Sequence, residues 1–343
     1  MRKDWEYKKW ADVLTIINGK NQKAVESIDG TYPIYGSGGI MGYANDWLCP
    51  ENCTIIGRKG NINKPIFVES KFWNVDTAFG LNSNQNLLAS KYLYYFCLNY
   101  DFNRHNKAVT IPSLTKVDLL KIEMPLPPKP TQLAIVAELD KINELIQLKK
   151  QQLKDYDQLA QSIFYEMFGD PVENEKGWEV KKFKDVYKMK SGDALSAKQF
   201  ITGDYPVYGG NGISGYHNAF NKDGIYIIIG RVGVYCGNTR IVNNKFWLTD
   251  NAFELMYDKS SNNELFICTL LNCLNLRQYA NAAAQPVISN TTLKDILIPL
   301  PPLPLQQQFA ARIEAIERQK QQVSETIKDL ETLLASRMQY WFD

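Results

Sequence analysis

Two segments of the chain carry apolar side chains at alternating spacings of four and three residues. They span 130–168 and 304–341, contain no glycine, and have proline only at their first position. Heptads sustained over this length are typical of a coiled-coil seam, and at about 1.5 Å per residue each helix would be roughly 55–60 Å long. The predicted seam positions are Ile135, Leu139, Ile142, Ile146, Leu153, Tyr156, Ile163, Phe309, Ile313, Ile316, Val323, Ile327, Leu330 and Leu334.

The ends and the pairing of these helices follow from the same pattern. Proline is tolerated in a first helical turn because the N–H it lacks has no partner there, and Gly169 followed by Pro171 ends the first helix. Neither helix has another obvious partner, so they are predicted to pair antiparallel, with one globular segment at each end. The alternative is that each helix packs on its own globular segment.

The rest of the chain has a strand-rich pattern. Short apolar runs, such as 53–56 and 225–229, alternate with turns rich in Gly, Asn and Asp, which predicts strands with hairpin-like connections. Residues 87–96 instead predict a helix. The expected fold class is α+β, with two similar domains joined by two long antiparallel coiled-coil helices.

The chain is also an internal repeat with pseudo-twofold character. The offset between the two copies is 173 residues at Gly60 and 174 at Lys71, which predicts a loop of variable length between them. The repeated segments are YPIYGSGGIMGY (32–43) with YPVYGGNGISGY (205–216), GRKG (57–60) with GRVG (230–233), KFWNVDTAF (71–79) with KFWLTDNAF (245–253), and MPLPP (124–128) with IPLPP (298–302).

Composition limits the class of protein without identifying it. Charged residues make up 22% of the 343, and the net charge of +2 neither requires nor excludes a nucleic-acid partner. Residues 1–128 hold 15 basic and 12 acidic side chains, and residues 171–302 hold 14 and 12, whereas both helical segments are slightly acidic. The excess of positive charge therefore lies in the two globular segments.

Six scattered cysteines and two isolated histidines show no metal-ligand spacing, so no metal site is predicted. The N-terminal residues lack the apolar stretch of a signal peptide, and no apolar run reaches membrane-spanning length. These features predict a cytoplasmic protein with reduced cysteines and no membrane partner.

Motifs for catalysis are not recognisable. The glycine-rich repeat fits neither the P-loop nor the dinucleotide-binding pattern. Asp170 with Glu179 and Lys181 loosely fits a nuclease pattern, but Glu6-Tyr7-Lys8 repeats the Glu-x-Lys part in a strand common to both copies. Isolated Ser, His and Asp residues show no triad spacing. The chain is expected to be non-catalytic by itself.

Arg, Lys, Asn and Tyr side chains gather in the glycine-rich repeats and in the loops after Gly57 and Gly230. Arg, Lys and Asn pair with phosphates and with guanine and adenine edges, although a solvated loop with flexible cations is the competing interpretation. Specificity is expected where the copies diverge, in the repeat centres and in these loops. The candidate DNA-contacting residues are Tyr35, Ser37, Tyr43, Arg58, Lys59, Asn61, Asn63, Lys64, Tyr208, Asn211, Tyr216, Arg231, Tyr235, Asn238 and Arg240.

The doubled order of these motifs resembles the specificity (S) subunit of type I restriction–modification systems over essentially the full length. The motifs that carry the resemblance are Tyr-Pro-x-Tyr-Gly, Gly-Arg-x-Gly, Phe-Trp-x-x-Asp-x-Ala-Phe and Pro-Leu-Pro-Pro, together with the segment 164–171. The family usually has Glu-Gln shortly after Pro-Pro. Here Thr131-Gln132 and Leu305-Gln306 retain only the glutamine.

The resemblance implies two target-recognition domains, 1–128 and 171–302, each reading one half of a bipartite site in double-stranded DNA. It implies that the helices, 129–170 and 303–343, act as spacers and dock two methyltransferase subunits, to which restriction subunits can add. S-adenosylmethionine would bind the methyltransferase, and ATP and Mg²⁺ the restriction subunit, which leaves no cofactor in this chain. The alternatives are an assembly scaffold that does not bind DNA, a stand-alone nuclease, or the specificity subunit of a related type II system of the IIB or IIG kind.

Overall fold

The computed structural model describes residues 5–106, 111–281 and 285–343. The chain divides into two compact units, the first comprising Met1–Gln151 and Val323–Asp343 and the second comprising Gln152–Gln322. Each unit combines one strand-rich globular segment with part of both long helices.

In the first unit, short apolar runs form the strands and polar turns connect them. The strands are β1 (Glu6–Lys9), β2 (Leu14–Asn18), β3 (Tyr32–Gly36), β4 (Gly39–Ala44), β5 (Cys53–Gly57), β6 (Ile66–Val68), β7 (Trp73–Asn74), β8 (Ala78–Ser83) and β9 (Glu123–Leu126). The helices are α1 (Trp10–Val13), α2 (Ser90–Asn99), α3 (Lys116–Leu119) and the long α4 (Lys129–Phe168), with a 3-10 helix at Phe102–His105.

These strands form a four-stranded sheet in the order β2-β8-β5-β6, a three-stranded sheet in the order β4-β3-β7, and the pair β1-β9. Strand β5 is buried at every position, which accounts for its mostly apolar sequence, with Thr54 as its one polar side chain. The helix predicted over 87–96 is present as α2 but begins at Ser90, because the N–H groups of Leu87 and Leu88 both donate to the carbonyl oxygen of Asn84 in a preceding turn.

The second unit repeats this plan. Its strands are β10 (Val180–Lys182), β11 (Lys188–Ser191), β12 (Tyr205–Gly209), β13 (Gly212–His217), β14 (Lys222–Gly230), β15 (Thr239–Leu248), β16 (Ala252–Met256) and β17 (Leu297–Pro299). Its helices are α5 (Phe183–Val186), α6 (Glu264–Cys273), α7 (Asn290–Leu293) and the long α8 (Leu303–Phe342), with 3-10 helices at Ala197–Gln199 and Leu276–Tyr279.

Six strands of the second unit form one sheet, in the order β11-β16-β14-β15-β12-β13, while β10 pairs with β17. The main difference between the copies is that the counterpart of the ten-residue β15 is broken into β6 and β7 in the first unit. The predicted α+β class and internal repeat are confirmed.

Strand register locates the extra residue of the second copy. Ile55 pairs with Ile66 in the first unit, and the equivalent Ile228 pairs with Arg240 in the second. Because Gly60 and Gly233 are still 173 residues apart, the insertion lies between Gly60 and Ile66. The predicted variable loop is confirmed, and the interval that contains the extra residue shortens from Gly60–Lys71 to Gly60–Ile66. The same register corrects one expectation, since Arg240 belongs to strand β15 and not to the loop that precedes it.

Within each unit the two long helices run antiparallel, as predicted. In the first unit Lys150 pairs with Glu331 at 2.7 Å, and Arg337 bonds to Glu138 nearer the other end of the same stretch. In the second unit Lys320 Nζ lies 2.8 Å from Asp157 Oδ1. The seam residues are buried at Ile135, Leu139, Ile142, Ile146, Phe309, Ile313, Ile316, Val323 and Ile327, and half-buried at Leu153, Tyr156, Ile163, Leu330 and Leu334.

The alternative expectation, that the helices pack on globular segments, also holds at their ends. Ile135 and Leu139 belong to the main core of the first unit, together with Phe342 from the end of α8. In the second unit Phe164 packs against Phe309 with ring centres 5.7 Å apart, and both belong to the main core there. The helices therefore form a paired seam and, at their ends, part of each unit's core.

A buried glutamine near the start of each long helix joins it to the adjacent globular segment. Gln132 is fully buried, and its amide oxygen accepts the N–H of Ala89, the residue that precedes α2, at 2.8 Å. Its amide nitrogen donates to the carbonyl oxygens of Leu87 and Pro127, both at 2.9 Å. All of the hydrogen-bonding partners of this side chain are backbone groups.

The second unit contains the same arrangement. Gln306 is 1% exposed, accepts the N–H of Asn263 before α6 at 2.9 Å, and donates to Ser261 and Pro301 carbonyl oxygens at 3.3 and 2.8 Å. We call these two sets of bonds the glutamine clamps. They occur at the positions where the glutamine of the family's Glu-Gln pair is retained.

All six cysteines are free thiols. Burial raises the pKa of Cys53 and of Cys268 to about 12, which keeps both in the protonated and unreactive form. Among the described residues, no helix is both long and apolar enough to cross a membrane.

Candidate nucleic-acid interface

The glycine-rich repeat forms a β-hairpin in each unit. Gly36 lies opposite Gly39 in the first hairpin, and Gly209 lies opposite Gly212 in the second. Gly39 and Gly212 have φ angles of 125° and 106°, a region that favours glycine. The hairpin tips, 36–39 and 209–212, contain two of the four positions at which the repeated segments differ.

A second loop lies against each tip. We call it the Gly-Arg loop, 57–65 in the first unit and 230–238 in the second. A Cβ built on Gly60 would stand 3.9 Å from Ser37 Oγ, and one built on Gly38 would stand 3.8 Å from Asn61 Nδ2. One built on Gly230 would lie only 2.3 Å from the carbonyl oxygen of Gly210. Tip and loop therefore form one continuous surface.

The arginine of each Gly-Arg loop is fixed by its backbone in the same way. The N–H of Arg58 donates to Thr77 at 2.8 Å, and its carbonyl oxygen accepts from Leu114 at 2.9 Å. Arg231 makes the two equivalent bonds, at 2.9 and 3.0 Å. Each arginine is thus held between two segments that are distant in sequence.

The side chains of these arginines also share one position. The guanidinium of Arg58 lies 5.7 Å from the centre of the Phe79 ring, and that of Arg231 lies 5.3 Å from Phe253. Arg231 in addition donates to the carbonyl oxygen of Asp250 at 3.3 Å. A buried aromatic ring lies beside both guanidinium groups, and most of their hydrogen-bond donors have no partner among the described residues.

The repeated tyrosines have two different environments. Tyr35 and Tyr208 are half-buried, each with its ring edge-to-face on a buried phenylalanine at 5.6 and 5.4 Å, so they anchor the hairpins to the core. Burial raises the pKa of Tyr35. Tyr43 and Tyr216 are 48% and 55% exposed and are the ones available to a partner.

Asn63 is engaged within the first unit. Its amide nitrogen donates to Asp101 at 2.9 Å and its amide oxygen accepts the N–H of Phe102 at 2.8 Å. This side chain stabilises the turn into the 3-10 helix. Ser37 is half-exposed at its tip, and the remaining candidates of the tips and loops are exposed: Lys59, Asn61, Lys64, Asn211, Tyr235 and Asn238.

A groove of about 570 Å³ runs beside the hairpin tip of the second unit. Its lining includes Asn211 of the tip and Ala197 and Phe200 of the segment 195–200. Val232 of the Gly-Arg loop and Asn251 also line it. The segment 195–200 has a single charge, on Lys198, and belongs to none of the repeated motifs, and sequence reasoning did not find its place here.

The surface offers hydrogen-bond donors, amides and exposed aromatic rings. Within the described ranges, His, Cys, Asp and Glu side chains do not gather in groups of three that could hold a metal ion. Guanidinium, ammonium and amide groups of this kind contact phosphates and base edges.

The fold and this doubled surface define the class of protein. The family model for the type I restriction modification DNA specificity domain matches residues 2–155 and, a second time, residues 175–332. Together these matches cover most of the chain, and the chain belongs to this family.

Its relatives agree with that assignment. The chain is 28% identical over 313 residues to the type I restriction enzyme EcoprrI specificity subunit of Escherichia coli, covering 81% of this chain and 74% of that protein. It resembles in fold the crystal structure of the S subunit of a type I system from M. genitalium, with a TM-score of 0.62, 16% identity, and 100% and 98% of the two chains covered. A structure described for complex assembly and conformational transition of the type I system gives a TM-score of 0.63 at 16% identity, covering 99% and 97%.

Proposed function

We propose that this chain is the DNA-recognition subunit of a type I restriction–modification complex, and that each unit reads one half of a bipartite site. The observation that carries the proposal is the duplication, in one chain of this family, of a hairpin tip and an aromatic-backed arginine in the same relative geometry. Two equivalent surfaces fit a DNA site with two parts. Because their loops differ in sequence and length, the two half-sites differ as well.

The long helices serve as spacer and docking element in this proposal. Each comprises 40 residues, about 60 Å at 1.5 Å per residue, which exceeds one DNA turn of about 34–36 Å. Leu159 of α4 and Leu333 of α8 are equivalent in the repeat and are 46% and 45% exposed. Matched exposed leucines suit two identical methyltransferase subunits.

This chain supplies recognition and no reacting group. Adenine methylation, with S-adenosylmethionine, belongs to the methyltransferase subunits, and ATP- and Mg²⁺-dependent cleavage belongs to the restriction subunits. The site of action is the cytoplasm, where the DNA is.

DNA binding is tested by titrating the chain, with and without its methyltransferase subunits, with duplex DNA at increasing salt. The logarithm of the binding constant is expected to fall steeply with the logarithm of salt concentration, by about 0.9 for each phosphate contacted. A flat salt dependence would favour the assembly scaffold. Metal-dependent cleavage by the isolated chain would favour the nuclease.

The spacer role predicts a change in the gap between half-sites. Deleting one matched heptad from each helix, 147–153 and 324–330, keeps the seam in phase and removes about 10.5 Å. The unread gap is expected to shorten by about three base pairs of about 3.4 Å each, with both half-sites unchanged. The measurement is sequencing of modified sites in cells that carry the variant with its partners. An unchanged gap would contradict the spacer role.

A further inference from the structure

Arg240 occupies a position at which the two units differ in chemistry. Strand register makes it the equivalent of Ile66, since each pairs with the equivalent isoleucine of the neighbouring strand. Ile66 packs against the buried cluster that contains Cys53 and Phe72. Arg240 is half-buried, and in the described part of the chain no carboxylate lies within ion-pair distance of its guanidinium.

The guanidinium of Arg240 lies at the hairpin tip of the second unit. A Cβ built on Gly212 would come within 2.3 Å of Arg240 Nη1, so the guanidinium lies directly against the backbone of the tip. At the equivalent Gly39, a built Cβ meets nothing within 4 Å. The space beside the tip is open in the first unit and holds a cationic, planar hydrogen-bond donor in the second.

Two kinds of arginine are therefore present. Arg58 and Arg231 recur in both units with the same backbone bonds and the same aromatic support, and a contact shared by both units cannot distinguish two different half-sites. Arg240 has no arginine counterpart in the first unit, and it lies against Gly212, which follows Asn211, a position at which the repeat copies diverge. An unpaired guanidinium at such a place matches the O6 and N7 acceptors of guanine, the base that arginine binds through two parallel hydrogen bonds.

We propose that Arg240 is a specificity-determining residue of the second unit, which reads a guanine in one half-site. The proposal rests on the proposed function. It assigns Arg58 and Arg231 to contacts common to both half-sites, and it assigns base discrimination at one position to Arg240.

The test uses selection from a duplex library with two randomised blocks and variable gaps, with the full chain bound to the methyltransferase subunits of its own system. The variants are Arg240→Ile, which places the first unit's residue in the second, and Arg240→Lys, which keeps the charge but loses the planar pair of donors. Lys245→Ile is the matched control. It also removes a cation from strand β15, but Lys245 is five residues from Arg240 and therefore lies on the other face of the strand.

Wild type is expected to select a guanine at one position of one half-site. Arg240→Ile is expected to lose roughly 5- to 150-fold of the discrimination at that position, with the other half-site unchanged, and Arg240→Lys is expected to retain part of it. Lys245→Ile is expected to select the wild-type sequence.

An unchanged selection profile in both Arg240 variants would overturn the inference, and so would an equal loss of affinity for all sequences, which indicates a phosphate contact. A lower melting temperature with an unchanged profile would make Arg240 a purely structural residue and would also overturn it. If wild type itself selects no two-part sequence, the proposed function fails first, independently of Arg240.

Discussion

Replacing Gln132 with methionine is expected to destabilise the first unit by about 2–6 kcal/mol. The change leaves the buried N–H of Ala89 and the buried carbonyl oxygen of Pro127 without partners, at about 1–3 kcal/mol each, while the lost bond to the Leu87 carbonyl is only part-buried. Methionine has nearly the volume of glutamine, so lost hydrogen bonds and not a cavity account for the effect. Urea denaturation measures the total, and hydrogen exchange of the α2 amides reports where the unit opens.

Gln306→Met provides the reciprocal test, with faster exchange expected in α6 and not in α2. Gln147→Met is the control, since Gln147 is exposed on the same helix as Gln132 and is expected to leave stability within about 0.5 kcal/mol of wild type. Protection of α2 at the wild-type level in Gln132→Met would show that the clamp does not stabilise the unit.

Removing both repeated arginines is expected to give the largest loss of DNA affinity. Arg58→Ala and Arg231→Ala should each weaken binding by about 1–3 kcal/mol, and the two losses should add to about 2–6 kcal/mol because the residues share no contacts. Each substitution should also reduce the salt slope by about one. Fluorescence anisotropy measures the affinity and its salt slope. The titrations use a duplex that carries the recognised DNA site, at salt concentrations from about 50 to about 200 mM.

Arg312→Ala is the control for charge removal, because Arg312 is an exposed arginine on α8 that lies outside the hairpin tips and Gly-Arg loops. It is expected to leave affinity and slope unchanged. Wild-type affinity and slope in the double variant would exclude Arg58 and Arg231 from the interface.

The elements that sequence predicted best are those with a strong period. The heptads placed both long helices within a residue of their observed ends, and the repeat placed equivalent strands, because these signals extend over many residues. The sequence predicts less well those features that depend on the position of a single residue. The insertion after Gly60 could lie anywhere before Lys71 in the sequence, and Arg240 was therefore assigned to a loop instead of a strand.

The structural roles of two further features could not be predicted from the sequence, although Gln132 and Gln306 stand out there as the retained glutamines of the family's Glu-Gln pair. The groove wall at 195–200 reaches the hairpin tip only through tertiary folding. The roles of Asn63 and of the clamp glutamines depend on backbone partners dozens of residues away, which composition and spacing do not encode. Polar side chains that bond to the backbone are in general poorly predicted, since any residue type can supply the partner.

The glutamine clamps bond only to backbone groups, and this affects how the sequences of such chains can diversify. Gln132 and Gln306 bond only to peptide N–H and carbonyl groups, so this part of the joint between a long helix and its globular segment does not depend on the side chains of that segment. A globular segment of different sequence that keeps the same backbone path, and the same packing on the core residues at the helix ends, can be attached without any change in the clamp glutamine. Selection can then replace one reading surface while the other and the connecting helices stay as they are.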